Sequence, residues 1–240
     1  MILDSLILEV TRRCNMACRH CLRGDARNVD MSPAVVDAAL SGVSQIGYLT
    51  FTGGEPTLNL PIIHYITRYI REHGIPLTAF TLVTNGKEPS MEVVKAMRSL
   101  YAMAKRRRDC GLHWSNDPYH VGTVEPAIYK DLPFYARHME DIDLQNYSNS
   151  TLINEGRAHK NRLSGHARDG KEILRIEYCG DEESLRALST VYVAANGNVI
   201  QDCDLSFERI DRERLGNVLR TPLSRIISMG ADYTYASEAA

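Results

Sequence analysis

Three cysteines on one short stretch are the residues of this chain best suited to metal chemistry. Cys14, Cys18 and Cys21 are spaced C-x3-C-x2-C and follow directly on an apolar segment. Three thiolates on one loop can ligate three irons of a cubane [4Fe–4S] cluster and leave the fourth iron without a protein ligand. The same three residues could instead hold zinc, with His20 or a distant residue completing the site. The spacing alone leaves both sites open.

The other three cysteines, Cys110, Cys179 and Cys203, are scattered along the chain. No basic leader with a small-residue cleavage site accompanies the first apolar segment, so we expect no export signal. We therefore expect a cytoplasmic protein with reduced thiols rather than three disulfides. No apolar run is long enough to span a bilayer, so a membrane is not an expected partner.

Composition and charge exclude several classes of protein. The chain has 240 residues, of which 44% are hydrophobic and 24% charged, as in a globular protein that buries its own core. This excludes a disordered chain and a disulfide-dependent miniprotein. Lys and Arg (28) nearly balance Asp and Glu (30), so a net charge of −2 gives no general attraction for nucleic acid. We interpret the basic run at residues 105–108 as the solvated end of a helix.

Short apolar segments alternate with helical patterns along the first two thirds of the chain. We predict strands at residues 3–10, 48–52, 77–83, 112–115 and 148–153, and helices at residues 33–46, 60–73, 90–108 and 126–138. Strict alternation of buried strands with crossover helices indicates a parallel sheet. Five such units by about residue 165 predict an α/β protein with an open, partial parallel β/α barrel rather than a complete eightfold one.

In such a barrel the loops at the carboxyl ends of the strands carry the function. Besides the cysteines, four polar segments fall at these ends: residues 53–56 (Gly-Gly-Glu-Pro), 84–86 (Thr-Asn-Gly), 115–120 (Ser-Asn-Asp-Pro-Tyr-His) and 154–157 (Asn-Glu-Gly-Arg). Taken singly, the first could be a loop that leaves a strand and the second an ordinary turn. Their order and placement together indicate one site.

The cysteine spacing after the first strand, with Gly53-Gly54-Glu55-Pro56 after the second, resembles the radical S-adenosylmethionine (SAM) enzymes. The resemblance implies a partial barrel of that type in which Cys14, Cys18 and Cys21 ligate a [4Fe–4S] cluster. It implies that SAM chelates the remaining iron and is cleaved reductively to a 5′-deoxyadenosyl radical, which abstracts hydrogen from a substrate. Glu55 and the backbone of Gly53 and Gly54 would receive the SAM ammonium group, which suits a carboxylate and open carbonyls.

The resemblance also suggests roles for three single residues. Ser115 resembles a serine that contacts SAM, although a cap or turn is an equal alternative. His20 occupies a position near the adenine, or it hydrogen-bonds the cluster sulfurs. Arg157 could pair with a carboxylate of SAM or substrate, or it is a surface arginine. The cofactor-binding residues that the resemblance implies are Gly53, Gly54, Glu55, Pro56, Thr84, Asn85, Ser115, His20 and Arg157.

A polar cluster near the same mouth contains His113, Asp117, Tyr119 and His120. Its spacing matches no defined metal motif, so we expect substrate contacts or proton handling, with structural histidines as the alternative. The catalytic candidates are Asp117, Tyr119, His120 and Cys203.

The C-terminal third has a different pattern. Asn196-Gly197 lies between apolar residues 190–195 and 198–201 and predicts a β-hairpin, and residues 223–227 predict a short helix. This part resembles the start of a SPASM or Twitch extension, which binds auxiliary clusters in radical SAM relatives. We divide the chain into a core (1–164) and a truncated extension packed on it (165–240). Because only Cys179 and Cys203 lie in the extension, we expect one cluster per chain and two free thiols.

The expected function is that of a radical SAM enzyme. The C-terminal resemblance favours a peptide or protein substrate, with a small metabolite, nucleotide or cofactor precursor, or the activation of a glycyl-radical enzyme, as alternatives. The resemblance also implies a flavodoxin- or ferredoxin-type electron donor. A non-catalytic metal-binding module is the competing class, but a purely structural site would not need Glu55 beside two glycines.

Overall fold

The computed structural model describes residues 1–138, 152–163, 174–179, 184–230 and 232–233. The strands there are β1 (Ile2–Thr11), β2 (Gln45–Gly53), β3 (Leu77–Thr84), β4 (Gly111–Ser115), β5 (Tyr135–His138), β6 (Arg175–Cys179), β7 (Ser184–Val193), β8 (Asn198–Ile200), β9 (Gly216–Asn217) and β10 (Asp232–Tyr233). The α-helices are α1 (Pro33–Leu40), α2 (Leu60–Glu72), α3 (Met91–Met103), α4 (Gly156–Lys160), α5 (Phe207–Arg212) and α6 (Leu223–Gly230). None of the helices described is long and apolar enough to cross a membrane.

The strands form one mostly parallel, open sheet. Strands β1 to β5 lie side by side in chain order and pair in parallel, and β7 pairs in parallel with β1 on its other side. Strands β6 and β8 pair antiparallel with β7. Among the described strands, β5 and β10 lie at the two edges of the sheet and do not pair with each other, so the sheet stays open. The predicted α/β class with an open, partial barrel is therefore confirmed.

Local sequence explains why these elements form. The side chains of Leu3, Leu6 and Leu8 in β1 are fully buried, as expected for a central parallel strand. The hydroxyl of Ser32 caps α1 by accepting from the Val35 amide, with Pro33 at the first helical position. Crossover helices between parallel strands bring the ends of β1 to β4 to one edge of the sheet, where their loops meet.

Two predicted helices end earlier than the sequence pattern suggested. The first ends at Leu40, because Gly42 takes a left-handed φ of +74° and Ile46 already pairs with Leu3 in the sheet. The third ends at Met103, since the amides of residues 105 and 106 bond to the start of β3 instead. The basic run at residues 105–108 therefore follows the α-helix, and its last two residues lie in the 3₁₀ turn Arg107–Asp109.

The helix predicted at residues 126–138 is wrong. Residues Ala127–Tyr129 form a single 3₁₀ turn, and β5 follows, with Tyr135 opposite Leu112 of β4. Pro133 has no amide hydrogen and cannot continue a helix through this segment. The strand predicted at residues 148–153 lies mainly outside the described residues.

The C-terminal third contains both elements predicted for it. Strands β7 and β8 form the hairpin, with Tyr192 opposite Ile200 and Gly197 at a φ of +83° in the turn. Helix α6 covers the predicted short helix. Because β7 lies beside β1, this third also extends the sheet of the core. The division at residue 164 stays a prediction.

Candidate active site

The cysteine loop begins where β1 ends. Cys14, Cys18 and Cys21 all line one cavity of about 250 Å³ at the carboxyl edge of the sheet. The amide of Cys21 donates to the Cys18 carbonyl (3.3 Å) and the amide of Gly24 to the Cys21 carbonyl (3.2 Å). These bonds wind the loop into consecutive turns, and the three thiols share one space.

The environment of these thiols fits an iron–sulfur cluster better than a single zinc ion. Burial raises the pKa of Cys14, and burial together with the neighbouring cysteines raises the pKa of Cys18 to about 11. A cationic centre is therefore needed to hold three thiolates here. One tetrahedral zinc with Zn–S bonds of about 2.3 Å would hold its sulfurs about 3.8 Å apart. The three sulfurs do not all lie within 4.8 Å of one another, so they are not gathered around a single position as one zinc ion requires.

Gly53 and Gly54 place the end of β2 against the start of the cysteine loop. The Gly54 amide donates to the Thr11 carbonyl (2.9 Å), and the Glu55 amide donates to the Arg13 carbonyl (2.8 Å). A Cβ atom added to Gly53, whose φ is +148°, would lie 2.1 Å from the Thr11 carbonyl oxygen. A Cβ atom added to Gly54 would lie 2.2 Å from the Arg13 carbonyl oxygen. Close packing of two backbones therefore requires both glycines.

Glu55 is a buried carboxylate beside the cavity, only 1% exposed. Its Oε1 accepts from the amide and hydroxyl of Thr57 (3.2 and 2.6 Å) and from the Thr84 hydroxyl (2.8 Å). Its Oε2 accepts from the Asn85 amide (2.8 Å). Burial raises the pKa of Glu55, and these hydrogen bonds oppose the rise. Its donors are uncharged, and no described cation pairs with it, so the carboxylate can receive a cationic ligand.

Thr84 and Asn85 connect the end of β3 to the cysteine loop. The Asn85 amide nitrogen Nδ2 donates to Asn15 Oδ1 (2.9 Å) and lies 4.0 Å from Cys14 Sγ. Its backbone carbonyl accepts from Trp114 Nε1 (3.2 Å). Both residues line the cavity, and they hold Glu55 and the first cysteine in a fixed relation.

Asp117 organises the turn that follows β4. Its Oδ1 accepts from the Tyr119 amide (2.8 Å), its Oδ2 accepts from His120 Nδ1, and His20 Nε2 lies 3.4 Å from Oδ2. Burial opposes ionisation, but the hydrogen bonds from the two imidazoles outweigh it and hold the pKa of Asp117 well below its usual range. His120 and Ser115 line the cavity. One carboxylate therefore orients two imidazoles at the cavity wall.

His20 carries an unfilled hydrogen-bonding position. Its ring stacks on Tyr119 with centroids 4.8 Å apart and meets His120 edge-on at 5.2 Å. Its Nδ1 is buried and has no partner within the described chain. Leaving a polar atom unpaired in this way costs about 1–3 kcal/mol. A cofactor atom in the cavity would complete its hydrogen bonding.

Arg157, Cys203 and His113 do not line this cavity. Arg157 donates to Asp25 (2.8 Å) and to the Cys18 carbonyl (3.4 Å), so it braces the cysteine loop from outside the cavity. Cys203 packs against a separate apolar cluster in the C-terminal third, and His113 lies within β4.

The other cysteines lie apart from the loop. Cys110 is buried, with Sγ 3.7 Å from the Arg106 carbonyl. Cys203 is half-buried, with Sγ 3.5 Å from Asp204 Oδ1. The side chain of Cys179 lies outside the described residues. The expectation of one cluster per chain stays a prediction.

A buried ionic network behind the loop was not anticipated from the sequence. Arg12 donates to Glu9 (2.6 Å) and, through two nitrogens, to Asp211 (2.7 and 3.0 Å). Glu9 also accepts from the Tyr192 hydroxyl (2.6 Å) and the Ala195 amide (3.0 Å). The network fixes the start of the cysteine loop to the C-terminal third. Glu9 within an apolar strand was the available signal, but its partners are far away in the sequence.

Comparison with known proteins finds a matching family model and solved structures of similar fold. The family model of the radical SAM superfamily matches residues 8–105. An uncharacterized protein of Methanocaldococcus jannaschii is 39% identical over 72 residues, which are 28% of this chain and only 25% of that protein. The crystal structure of BtrN in complex with AdoMet and 2-DOIA superposes with a TM-score of 0.58 and 16% identity, covering 94% of this chain and 82% of BtrN. BtrN in an open conformation superposes with a TM-score of 0.52, at 16% identity over 94% of this chain and 79% of BtrN. At this identity the solved structures share the fold.

Proposed function

We propose that this chain, whose residues 8–105 match the radical SAM family model, is an enzyme of the radical SAM class, and that Cys14, Cys18 and Cys21 hold its [4Fe–4S] cluster. When bound, the cluster and SAM supply a 5′-deoxyadenosyl radical that removes a hydrogen atom from the substrate. The observation that carries this proposal is one cavity lined by the three cysteines and by residues 53–56.

We assign the SAM ammonium group to Glu55 and to the backbone of Gly53 and Gly54. The support is electrostatic, because a buried carboxylate without a described cation is stabilised when a cationic ligand binds beside it. Ser115 and Asn85 line the same cavity and offer polar contacts to the rest of the cofactor. Thr84 acts through Glu55, which it holds in place.

The turn after β4 is proposed to handle protons and contact the substrate. His120 Nδ1 is bonded to Asp117, so Nε2 is the ring atom left to exchange a proton with a substrate at the cavity wall. Asp117 positions that ring, and Tyr119 stacks on His20 to fix the second imidazole. Cys203 lies in another part of the fold and receives no catalytic role.

We propose a peptide or protein segment as the substrate. A cavity of about 250 Å³ is smaller than the roughly 300–1,000 Å³ of small-molecule pockets, so bound SAM leaves little enclosed room for a second small molecule. A side chain presented from outside needs less enclosed volume. The sequence resemblance of the C-terminal third to a SPASM or Twitch extension favours the same class. We further propose a cytosolic location, where the thiols stay reduced.

Anaerobic formation of 5′-deoxyadenosine from SAM tests the reaction. The reconstituted chain with a strong small-molecule reductant should form it, and the triple variant Cys14→Ala, Cys18→Ala, Cys21→Ala should not. The variant Cys110→Ala, with a buried cysteine away from the loop, is the matched control and should keep its iron and its activity. A chain with an intact, reduced cluster that neither binds nor cleaves SAM would overturn the proposal.

The substrate class is tested by asking whether the component of a cell extract that stimulates the enzyme is large and sensitive to protease. Fractions of a cell extract are added to the reconstituted enzyme, and stimulation of 5′-deoxyadenosine formation is measured. A peptide substrate predicts activity in the high-mass fraction that is lost after protease digestion. Stimulation confined to a protease-resistant fraction below about 1 kDa would assign a metabolite, nucleotide or cofactor precursor instead.

A further inference from the structure

The cavity lined by the three cysteines contains one arginine. Among the described residues of its lining, Arg23 is the only lysine or arginine, and it follows Cys21 by two residues. Arg23 Nη1 donates to the Leu205 carbonyl (2.7 Å), and its guanidinium carbon lies 5.1 Å from the centroid of the Tyr192 ring. Two groups of the C-terminal third therefore fix this cation at the cavity wall.

The charge of Arg23 is not taken up by a carboxylate of the described chain. No described aspartate or glutamate forms an ion pair with the guanidinium, and Glu9 and Asp204 act on it only over longer distances. Its Nε and Nη2 atoms form no hydrogen bond within the described residues. Because a guanidinium binds carboxylates through parallel hydrogen bonds, Arg23 is able to receive a carboxylate of a bound molecule.

Arg23 also lines a second space, which we call the polar cleft. The cleft has a volume of about 510 Å³ and is formed by residues 23–27, 154–160 and 206–212. None of the described residues in its lining has an apolar side chain, so binding there depends on charge and hydrogen bonds. Since one side chain lines both spaces, a ligand in the polar cleft lies beside the cavity of the cysteines.

The polar cleft has more cations than anions in its lining. Five arginine or lysine side chains line it, against three aspartates or glutamates. Of the three acids, Asp25 accepts from Lys160 (3.3 Å), Glu155 pairs with Arg209, and Glu208 is exposed. An anionic ligand is therefore favoured over a cationic one. The five cations are Arg23, Arg27, Lys160, Arg209 and Arg212, and Asp211 or Glu213 pairs with three of them.

We propose that the polar cleft binds an acidic segment of the substrate peptide, and that Arg23 holds a carboxylate of that segment beside the cavity. The proposal rests on the proposed function, whose peptide substrate it specifies further. A cavity of about 250 Å³ has room for one side chain beside SAM, and the cleft has twice that volume for the residues that flank it. An extended peptide advances about 3.3 Å per residue, so these flanking residues follow within a short distance.

Calorimetric binding of a model peptide to the reconstituted chain tests the cleft. The probe is a short peptide of alternating glycine and glutamate, compared with the same peptide carrying glutamine, with the cluster oxidised and SAM present. The parent chain should bind the glutamate peptide about tenfold more tightly at low salt, with the difference shrinking as salt screens the charges. Arg23→Met should lose most of this preference, because the cation shared by the cavity and the cleft is gone.

A second variant keeps Arg23 and its contacts with the C-terminal third. Lys160→Glu reverses a charge of the cleft at a side chain that is 65% exposed and paired with Asp25. The matched control is Lys95→Glu in α3, where the lysine is also 65% exposed and pairs with Glu92 (2.6 Å). Lys160→Glu should bind the glutamate peptide about 3- to 10-fold more weakly than Lys95→Glu, while both keep their iron.

Titration of SAM into Arg23→Met shows which carboxylate Arg23 receives. SAM affinity should stay within about twofold of the parent value while the peptide preference falls. If both fall, the comparison of Lys160→Glu with Lys95→Glu decides. Lower SAM affinity with an unchanged peptide preference, equal binding of the two peptides by the parent chain, or equal peptide affinity in the two lysine variants would overturn the proposal. Dithionite-driven SAM cleavage by the parent chain reports the proposed function by itself, so the two failures are distinguishable.

Discussion

Replacing Arg12 with methionine should destabilise the fold strongly, because it removes the cation shared by two carboxylates. Arg12 is 1% exposed and Glu9 is fully buried. The guanidinium donates one hydrogen bond to Glu9 and two to Asp211. Methionine fills much of the same volume but supplies neither charge nor donors, so Glu9 would lose the cation bonded directly to it.

Burial sets the size of the effect. An exposed ion pair contributes about 0–1 kcal/mol, whereas removing one partner of a buried pair costs about 3–5 kcal/mol. Glu9 keeps its hydrogen bonds from the Tyr192 hydroxyl and the Ala195 amide, which places the loss near the lower end of that range. We expect about 3 kcal/mol, on the order of a hundredfold in the folding equilibrium.

Urea unfolding of the apo chain, followed by circular dichroism, measures this loss. The control is Arg27→Met, since Arg27 pairs with the same Asp211 (3.0 Å) but is 42% exposed, and its loss should stay within about 1 kcal/mol. The double variant Glu9→Gln/Arg12→Met should recover part of the stability, because no charge is left buried at residue 9. Equal losses in the two single variants, or a double variant no more stable than Arg12→Met, would refute the reasoning.

Three other perturbations have defined outcomes. Gly54→Ala should cost about 1–3 kcal/mol and most of the bound iron, because its Cβ would meet the Arg13 carbonyl at 2.2 Å. The control for iron content is Gly42→Ala, which also costs stability because of its left-handed φ of +74° but lies beside Met1 rather than at the cysteine loop, and it should keep its iron. Asp117→Asn should lower the rate of 5′-deoxyadenosine formation about 10- to 100-fold while the chain stays folded. The amide has no negative charge, and its single accepting oxygen must serve the Tyr119 amide and both imidazoles. A rate unchanged from that of the parent would contradict this positioning role. Acid unfolding should involve Asp211. Burial raises the pKa of this carboxyl, but its hydrogen bonds, led by that from Arg12, outweigh burial and lower the pKa. Asp211 therefore stabilises the fold above its unfolded pKa of about 3.9, and this stabilisation is lost as the pH falls through the lower pKa of the folded state. Stability should therefore vary less with pH below about 4 in Arg12→Met than in the parent chain, as urea unfolding at a series of pH values would show.

Motifs whose meaning is local were predictable from the sequence. The short apolar segments predicted β1 to β4 within a few residues of their observed bounds, and Ser32-Pro33 marked the start of α1. Asn196-Gly197 marked the hairpin, because a two-residue turn is specified by the residues within it. The helix wrongly expected at residues 126–138 shows the limit of such patterns, since the pairing of β5 with β4 imposes extended structure there.

The roles of single site residues depended on contacts that cross the fold. Arg157 lies outside the cavity because it pairs with Asp25, more than a hundred residues earlier in the chain. Glu55 acts as an acceptor for the end of β3, and Asp117 reaches back to His20 on the cysteine loop. No pattern within one segment encodes which side chains from different strands face each other.

The sequence by itself determined the cysteine spacing, the order of strands and helices, and the placement of polar residues at the carboxyl ends of strands. These depend on backbone periodicity and turn chemistry within a few residues. Only the tertiary structure decided that β7 lies beside β1, that Arg12 joins Glu9 to Asp211, and that Glu55 accepts from Thr84 and Asn85. Those features arise from packing between distant segments, where burial and charge pairing depend on sheet order rather than on neighbouring residues.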